Sequence, residues 1–201
     1  MDNAFKKISY GLFVITTGKD NKKSGCIVNT VMQLTTSPNK ISVAVNKQNY
    51  THDLIKEKGE FNVSIISQSA DFSLFKHFGF QSGKTVDKFK DFSDFEIAEN
   101  GIPYITKATN AVITAKVVDT VDVGTHTLFI ANVEKSFDLN DNQSATYEYY
   151  FANIKPKPEK PKKTAWQCTI CGYTEEVDEL RDDFVCPWCK HPKSDFVKIE
   201  V

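Results

Sequence analysis

The chain has 201 residues, room for one ordinary domain or one plus something small, which excludes a large multidomain machine. Lys and Arg number 25 against 26 Asp and Glu, a formal charge of -1, so no basic surplus points to nucleic acid or an anionic membrane as partner. The longest apolar runs, such as Leu12 to Ile15, fall far short of the roughly 20 residues a membrane helix needs, and Lys6 and Lys7 precede no apolar signal region; a soluble, cytoplasmic protein is expected.

Along the chain, Leu12-Thr17, Ile41-Val45, Phe61-Ile66, Ala111-Val121 and Leu128-Val133 are rich in Val, Ile, Thr and Phe and bounded by turn formers, so they read as strands. One helix is expected to start with Thr51 as N-cap and Asp53 in its first turn, and to end at Gly59; a second covers roughly Ala70 to Phe78. Tyr147, Tyr149 and Tyr150 read as a last strand. Phe72, Phe75, Phe78 and Phe80, at near-helical spacing, read as core or dimer contact. Strands outnumber helices and βαβ alternation is poor, so the fold class is mainly β, an antiparallel barrel with a few helices. No G-x-G-x-x-G or G-x-x-x-x-G-K-[ST] occurs, which excludes a Rossmann or P-loop nucleotide site.

Charge marks the domain boundaries. Residues 1-154 carry 16 Lys and 17 acids, residues 155-163 five Lys and one acid, and residues 164-201 four basic and eight acidic groups. Three prolines in the middle piece bias it toward polyproline II, so its nine residues form a semi-rigid tether of at most roughly 28 Å.

The last 38 residues are too few to bury much apolar surface, and a chain that short needs a staple. Cys168-x-x-Cys171 and Cys186-x-x-Cys189 supply it: two facing hairpins place four thiolates in a tetrahedron suited to Zn²⁺ or a single iron, with a pair of disulfides as the remaining alternative. Cys26 stands apart and reads as a small buried or cofactor-adjacent side chain, not a nucleophile.

From Trp166 through Tyr173, from Asp182 through Cys189 and from Lys193 through Phe196, this segment resembles rubredoxin. The resemblance implies one iron on four sulfurs, with Trp166, Tyr173, Phe184, Trp188 and Phe196 packed around it. Rubredoxins usually place Gly after the second pair; Lys190 there needs an unfavourable positive φ or alters one N–H to sulfur contact. A zinc ribbon of architectural role is the rival. Ser24 through Thr35, Val43 through Ile55, and Gly124 through Phe129 are similar to the flavin reductase family with its FMN-binding split barrel. Together the two halves look like the high-molecular-weight rubredoxins, fusions of those modules. By position, the resemblance implies that Asn29 and Thr30 lie against the flavin, beside Cys26, with Val31, Gln33 and Leu34 touching ring and ribityl chain. Asn46, Lys47, Gln48, Tyr50 and Thr51 would border the phosphate, and His126 the ring where nicotinamide stacks. It further implies a homodimer, NAD(P)H as donor and a flavodiiron protein reducing O₂ or NO as terminal partner. A plain flavin reductase, and a flavin- or haem-binding module with a zinc ribbon, are the rival readings.

Overall fold

The structure is a computed structural model and describes residues 3–20, 22–157 and 164–200. It falls into two compact units that part between Pro156 and Lys157. Of the expected tether, residues 158–163 lie outside the described residues.

The first unit runs β1 (Phe13–Lys19), β2 (Lys22–Val28), β3 (Met32–Thr36), β4 (Asn39–Asn46), α1 (Tyr50–Lys58), β5 (Glu60–Ile66), α2 (Phe72–Gly79), β6 (Phe95–Ile97), β7 (Pro103–Ile105), β8 (Thr109–Asp122), β9 (His126–Asp138) and α3 (Tyr147–Tyr149). Seven strands form one antiparallel sheet in the order β2-β1-β5-β8-β9-β4-β3, and β6 and β7 form a separate hairpin. The sheet curls on itself. Cys26, from one edge strand, and Ile41, Val43 and Val45, near the opposite edge, share one buried cluster with Ile15, Phe61, Val63 and Phe129. Ile55 of α1 joins that cluster.

A second core covers the sheet's outer face, built from Val14, Ile66, Leu74, Phe75, Phe78, Phe89 and Ile105. Both faces of β1 are therefore buried: Val14 points into the outer core and Ile15 into the barrel. That is why the run from Leu12 to Ile15 is continuously apolar and not alternating. The turn after β2 closes part of the barrel seam. β3 pairs with β4 only over Asn39 to Ser42, and beyond it the Thr30 hydroxyl donates to the Ala44 carbonyl at 2.8 Å and accepts from the Ala44 N–H at 3.2 Å.

Local expectations hold unevenly. The five expected strands and the αL ending at Gly59 (φ 72), whose N–H donates to the Ile55 carbonyl at 2.8 Å, are present. The N-cap of α1, however, is Asn49, which makes no side-chain capping bond, and Thr51 lies inside the first turn. A tertiary contact claims its hydroxyl: Thr51 and Ser24 share a hydrogen bond of 2.9 Å under the sheet. For α2, Asp71 accepts from the Ser73 N–H at 2.7 Å and caps the helix. The tyrosines at 147–150 are helical, not a strand. Thr146 caps them by accepting from the Tyr149 N–H, and the chain continues as a π-helical turn over Tyr150–Ile154 with Tyr150 packed on Phe75 at 4.4 Å. Aromatic β-propensity there loses to burial on α2.

The second unit has β10 (Thr164–Cys168), β11 (Thr174–Glu175) and β12 (Phe196–Glu200) in the order β11-β10-β12. Its core is small: Cys168, Leu180, Cys186 and Phe196 are buried, with Trp166, Tyr173, Val177 and Phe184 packed against them.

Candidate metal centre and flavin site

The two cysteine pairs sit on matched hairpins. The Gly172 N–H donates to the Cys168 carbonyl at 2.9 Å and the Lys190 N–H to the Cys186 carbonyl at 3.0 Å, and each donor residue has positive φ, 78 and 61. Lys190 thus takes the left-handed conformation that its place in the sequence demands. All four Sγ atoms lie within 4.8 Å of one another. Cys168 and Cys189 are 3.6 Å apart and Cys171 and Cys186 3.5 Å apart. A metal–sulfur bond of about 2.3 Å gives a tetrahedron edge of about 3.8 Å, whereas a disulfide needs about 2.05 Å. All five cysteines are free, so the disulfide alternative falls.

Backbone donors serve the sulfurs: the N–H groups of Trp188 and Cys189 reach Cys186, that of Tyr173 reaches Cys171, and that of His191 reaches Cys189. Burial pushes the Cys186 thiol up, but those two N–H groups and the neighbouring thiols outweigh it and bring it below the ordinary range. At Cys189, burial and crowding by the other sulfurs win, and its proton is held tightly. Four clustered thiolates demand a cation, so the donor set fits a tetrahedral metal. Cys168 and Cys186 are buried, while Cys171 and Cys189 are half-buried. Phe184 and Phe196 meet edge to face beside the centre. Trp188 departs from the expected packed shell, being 70% exposed with only its contact to Tyr173 at 5.3 Å.

In the barrel, the residues expected to hold flavin follow β4 from its pairing with β3 to the turn into α1. Near its start, Gln33 sits opposite Ile41 and donates to Asn39 at 3.2 Å. Val31 and Gln33 line an apolar cavity of about 320 Å³ with Phe13, Ile41, Ile113 and Val133. Leu34 is exposed on β3. Asn29 follows β2, and Thr30 is tied to Ala44. At the far end, about 16 Å along the strand at 3.3 Å per residue, stand Asn46, Lys47 and Gln48. Asn46 is paired with His126 on β9 and accepts from the Gln48 N–H at 2.9 Å. The His126 ring shares a hydrogen bond with Thr125. Lys47 pairs with Asp122 at 2.7 Å.

α1 begins beside this end, and with no side chain capping it, its first N–H groups and Lys47 make a start suited to a phosphate. An elongated track, with an apolar cavity at one end and anion donors at the other, fits a flavin mononucleotide in kind.

Three residues that sequence reasoning missed lie about Cys26 and Thr51. Ser24 is one. His52 is buried, its Nδ1 3.0 Å from Asp53 and its Nε2 2.9 Å from Thr127. Lys88 is 2% exposed and donates to the Gly25 and Phe78 carbonyls at 2.8 and 2.9 Å; burial lowers its pKa. Period two from Cys26 could have flagged Ser24. Nothing local marks Lys88, which lies in a charged stretch and is buried by long-range packing. Cys26 itself is 2% exposed, and burial pushes its thiol up to about 11 against a hydrogen bond from Thr51 and the charge of Lys88, consistent with an inert side chain.

Comparison with known proteins gives the same partition. The flavin reductase like domain family matches residues 5–157, and the rubrerythrin, rubredoxin-like domain family matches residues 166–197. A high molecular weight rubredoxin of Moorella thermoacetica is 33% identical over 98% of each chain. A ferric-chelate reductase (NAD(P)H) of Archaeoglobus fulgidus is 41% identical over 77% of this chain and 90% of its own. Among solved structures, the NADH:FAD oxidoreductase of Streptomyces globisporus superimposes with a TM-score of 0.66 at 22% identity, covering 78% of this chain and 90% of that one. Matched over 98% of its length by a high molecular weight rubredoxin and over about three quarters of it by the reductase family, the chain belongs to the flavin reductase-like family, as an electron-transfer oxidoreductase carrying a rubredoxin-like domain.

Proposed function

We propose that the protein takes electrons from NAD(P)H at an FMN held along β4 and delivers them singly, through an iron held by Cys168, Cys171, Cys186 and Cys189, to a redox partner. The tetrad carries this reading: four thiolates at metal-binding separations, in one chain with a reductase-type barrel. Bound flavin supplies the conversion of a two-electron donor into one-electron steps, and bound iron a one-electron relay.

The chain's own residues bind, orient and exclude. Thr30 fixes the turn that would lie against the flavin, and Val31 and Gln33 border its ring. Lys47 and the start of α1 neutralise the phosphate, with Asn46, Gln48, Tyr50 and Thr51 shaping that end. Leu34 and the exposed Met32 make β3 an apolar edge suited to a second copy of the barrel, hence a homodimer. His126, beside Asn46, borders the approach of nicotinamide. The working division is a barrel over residues 1-154, a tether over 155-163 and the iron module over 164-201, and the acceptor assigned is a flavodiiron reductase of O₂ or NO in the cytoplasm.

An anaerobic visible spectrum before and after NAD(P)H tests the scheme. Superposed ferric-thiolate and flavin bands, both bleached by the nucleotide, are expected. A colourless, zinc-loaded tail on a flavin-reducing barrel replaces it with plain flavin reduction.

A further inference from the structure

Lys190 stands in strained backbone where its structural counterpart is a glycine. At φ 61 it closes the second cysteine hairpin with the main-chain bond that Gly172 makes in the first. Glycine adopts this conformation freely, and a side chain there weakens folding by about fivefold in the equilibrium constant or more. Strain of this kind at a redox centre points toward a use for the side chain.

The charges around it narrow that use. Arg181 lies 3.8 Å from Asp183, Lys193 lies 2.9 Å from Asp182, and Lys198 sits over the Trp166 ring. Among the described residues from Thr164 onward, Lys190 is the one Lys or Arg with no ion pair or ring partner. It directly follows Cys189, one of the two half-buried sulfurs, and the two hairpins carry exposed apolar side chains: Trp188 at 70% exposure, Val185, just before the second hairpin, at 51% and, on the first, Ile170 at 57%. A free cation beside an exposed aromatic, next to an accessible ligand sulfur, stands in a module of net charge -4.

We infer that Lys190 sets the charge preference of electron exchange at the second cysteine hairpin, pairing with an anionic group of the partner. This rests on the iron reading above. An acidic module repels anions at long range, and a cation fixed at the point of contact offsets that repulsion where transfer occurs.

The test uses the full chain with its iron reduced, mixed with ferricyanide or hexaamminecobalt(III). Each oxidant takes one electron from ferrous iron, giving ferric iron with ferrocyanide or cobalt(II), with no proton or bond transferred to the protein. Rates are read at the ferric-thiolate absorption. Lys190→Gln should slow the anionic oxidant several-fold while sparing or speeding the cationic one, and Lys198→Gln should leave their ratio unchanged.

Lys190→Gly should change the ratio as Lys190→Gln does. In addition it should raise the module's folding constant about fivefold, followed by the fluorescence of Trp166 and Trp188, the chain's two tryptophans. An unaltered ratio in Lys190→Gln overturns the inference, as does a slowing of both oxidants by one factor, which would mark a shifted potential. A Lys190→Gly chain no more stable than the parent overturns the strain argument. Absence of any ferric spectrum overturns the iron reading and this inference together.

Discussion

The barrel buries eleven clustered side chains inside its sheet and eleven more outside it, whereas the cluster of the small module has four, two of them cysteines. The first is held by apolar area distributed over about 150 residues, so the loss of one contact is absorbed by the rest. The second concentrates its stability in one point. Binding a structural metal is worth on the order of 10 kcal/mol or more in such units, which exceeds what four buried side chains supply. One chain thus contains a unit whose fold makes a site and a unit whose site makes the fold.

The sharpest way to break this contrast is Cys186→Ser. Removing one of four ligands should release the metal and unfold the small module, with its hydrogen-bonded hairpins, while the barrel keeps its fold and flavin. Because both tryptophans lie in the module, their fluorescence should shift to that of exposed indole while far-UV circular dichroism retains the barrel's signal. Concerted loss of both units would show that the barrel depends on its neighbour.

Ending the chain after Pro156 probes the same division through function. The barrel should remain a folded NAD(P)H-oxidising flavoprotein and lose delivery to the one-electron acceptor. Residues 164-201 added back with iron at micromolar concentration should restore delivery only partly, since a tether supplies a millimolar effective concentration, about three orders of magnitude more. Acceptor reduction by intact protein, truncated protein and the mixture decides it; an intact rate from truncated protein alone would remove the iron centre from the electron path.

The two units also differed in how far their sequences could be read. Four cysteines at fixed spacing determine a metal site with little help from the rest of the chain, and the resemblance to rubredoxin, which places a glycine after the second pair, marked Lys190 for a positive φ or an altered N–H to sulfur contact; the structure has the positive φ. Along the barrel, strands that bury a face were legible in their β-branched runs. β2 was not, because Lys22-Lys23-Ser24-Gly25 hides a strand whose buried polar groups are satisfied by Thr51 and by long-range contacts. β3 was not, because every residue on it is exposed and period-two burial is absent. The flavin residues fall between these cases. Their order along β4 follows from strand register, but Lys88 reaches Gly25 from a distant segment and His52 is tied to Thr127 across 75 residues, and no local pattern carries that information.

The buried Cys26 offers a pH-dependent handle on the barrel alone. Its folded pKa of about 11 exceeds its ordinary value of 9.0, so below pH 9 the native and unfolded thiols are both protonated. Between pH 9 and 11 the unfolded state gives up this proton while the native state retains it, and stability falls as pH rises. Two units correspond to about 2.7 kcal/mol at the top of that window. Lys88 acts in the opposite sense, since burial lowers its pKa and the unfolded chain holds that proton longer. Cys26→Ala should therefore flatten the alkaline decline by about 2 kcal/mol relative to the parent, measured by urea unfolding at pH 8 and pH 10.5. An equal decline in both proteins would place the thiol in contact with water.

The smallest expected effect falls at the barrel seam. Thr30 makes two hydrogen bonds to the main chain of Ala44 where the β3 ladder has ended, and Thr30→Val retains its shape while removing both. The site is only part-buried, so water can replace much of what is lost, and the stability cost should be about 1 kcal/mol. Flavin affinity should fall further than stability does, because the turn carrying Asn29, Thr30 and Val31 loses its anchor just where the ring would rest. Comparing the flavin dissociation constant with the urea midpoint separates the two effects. A change in stability with unaltered flavin affinity would confine Thr30 to closing the seam and move the flavin's contacts toward Gln33 and the apolar cavity.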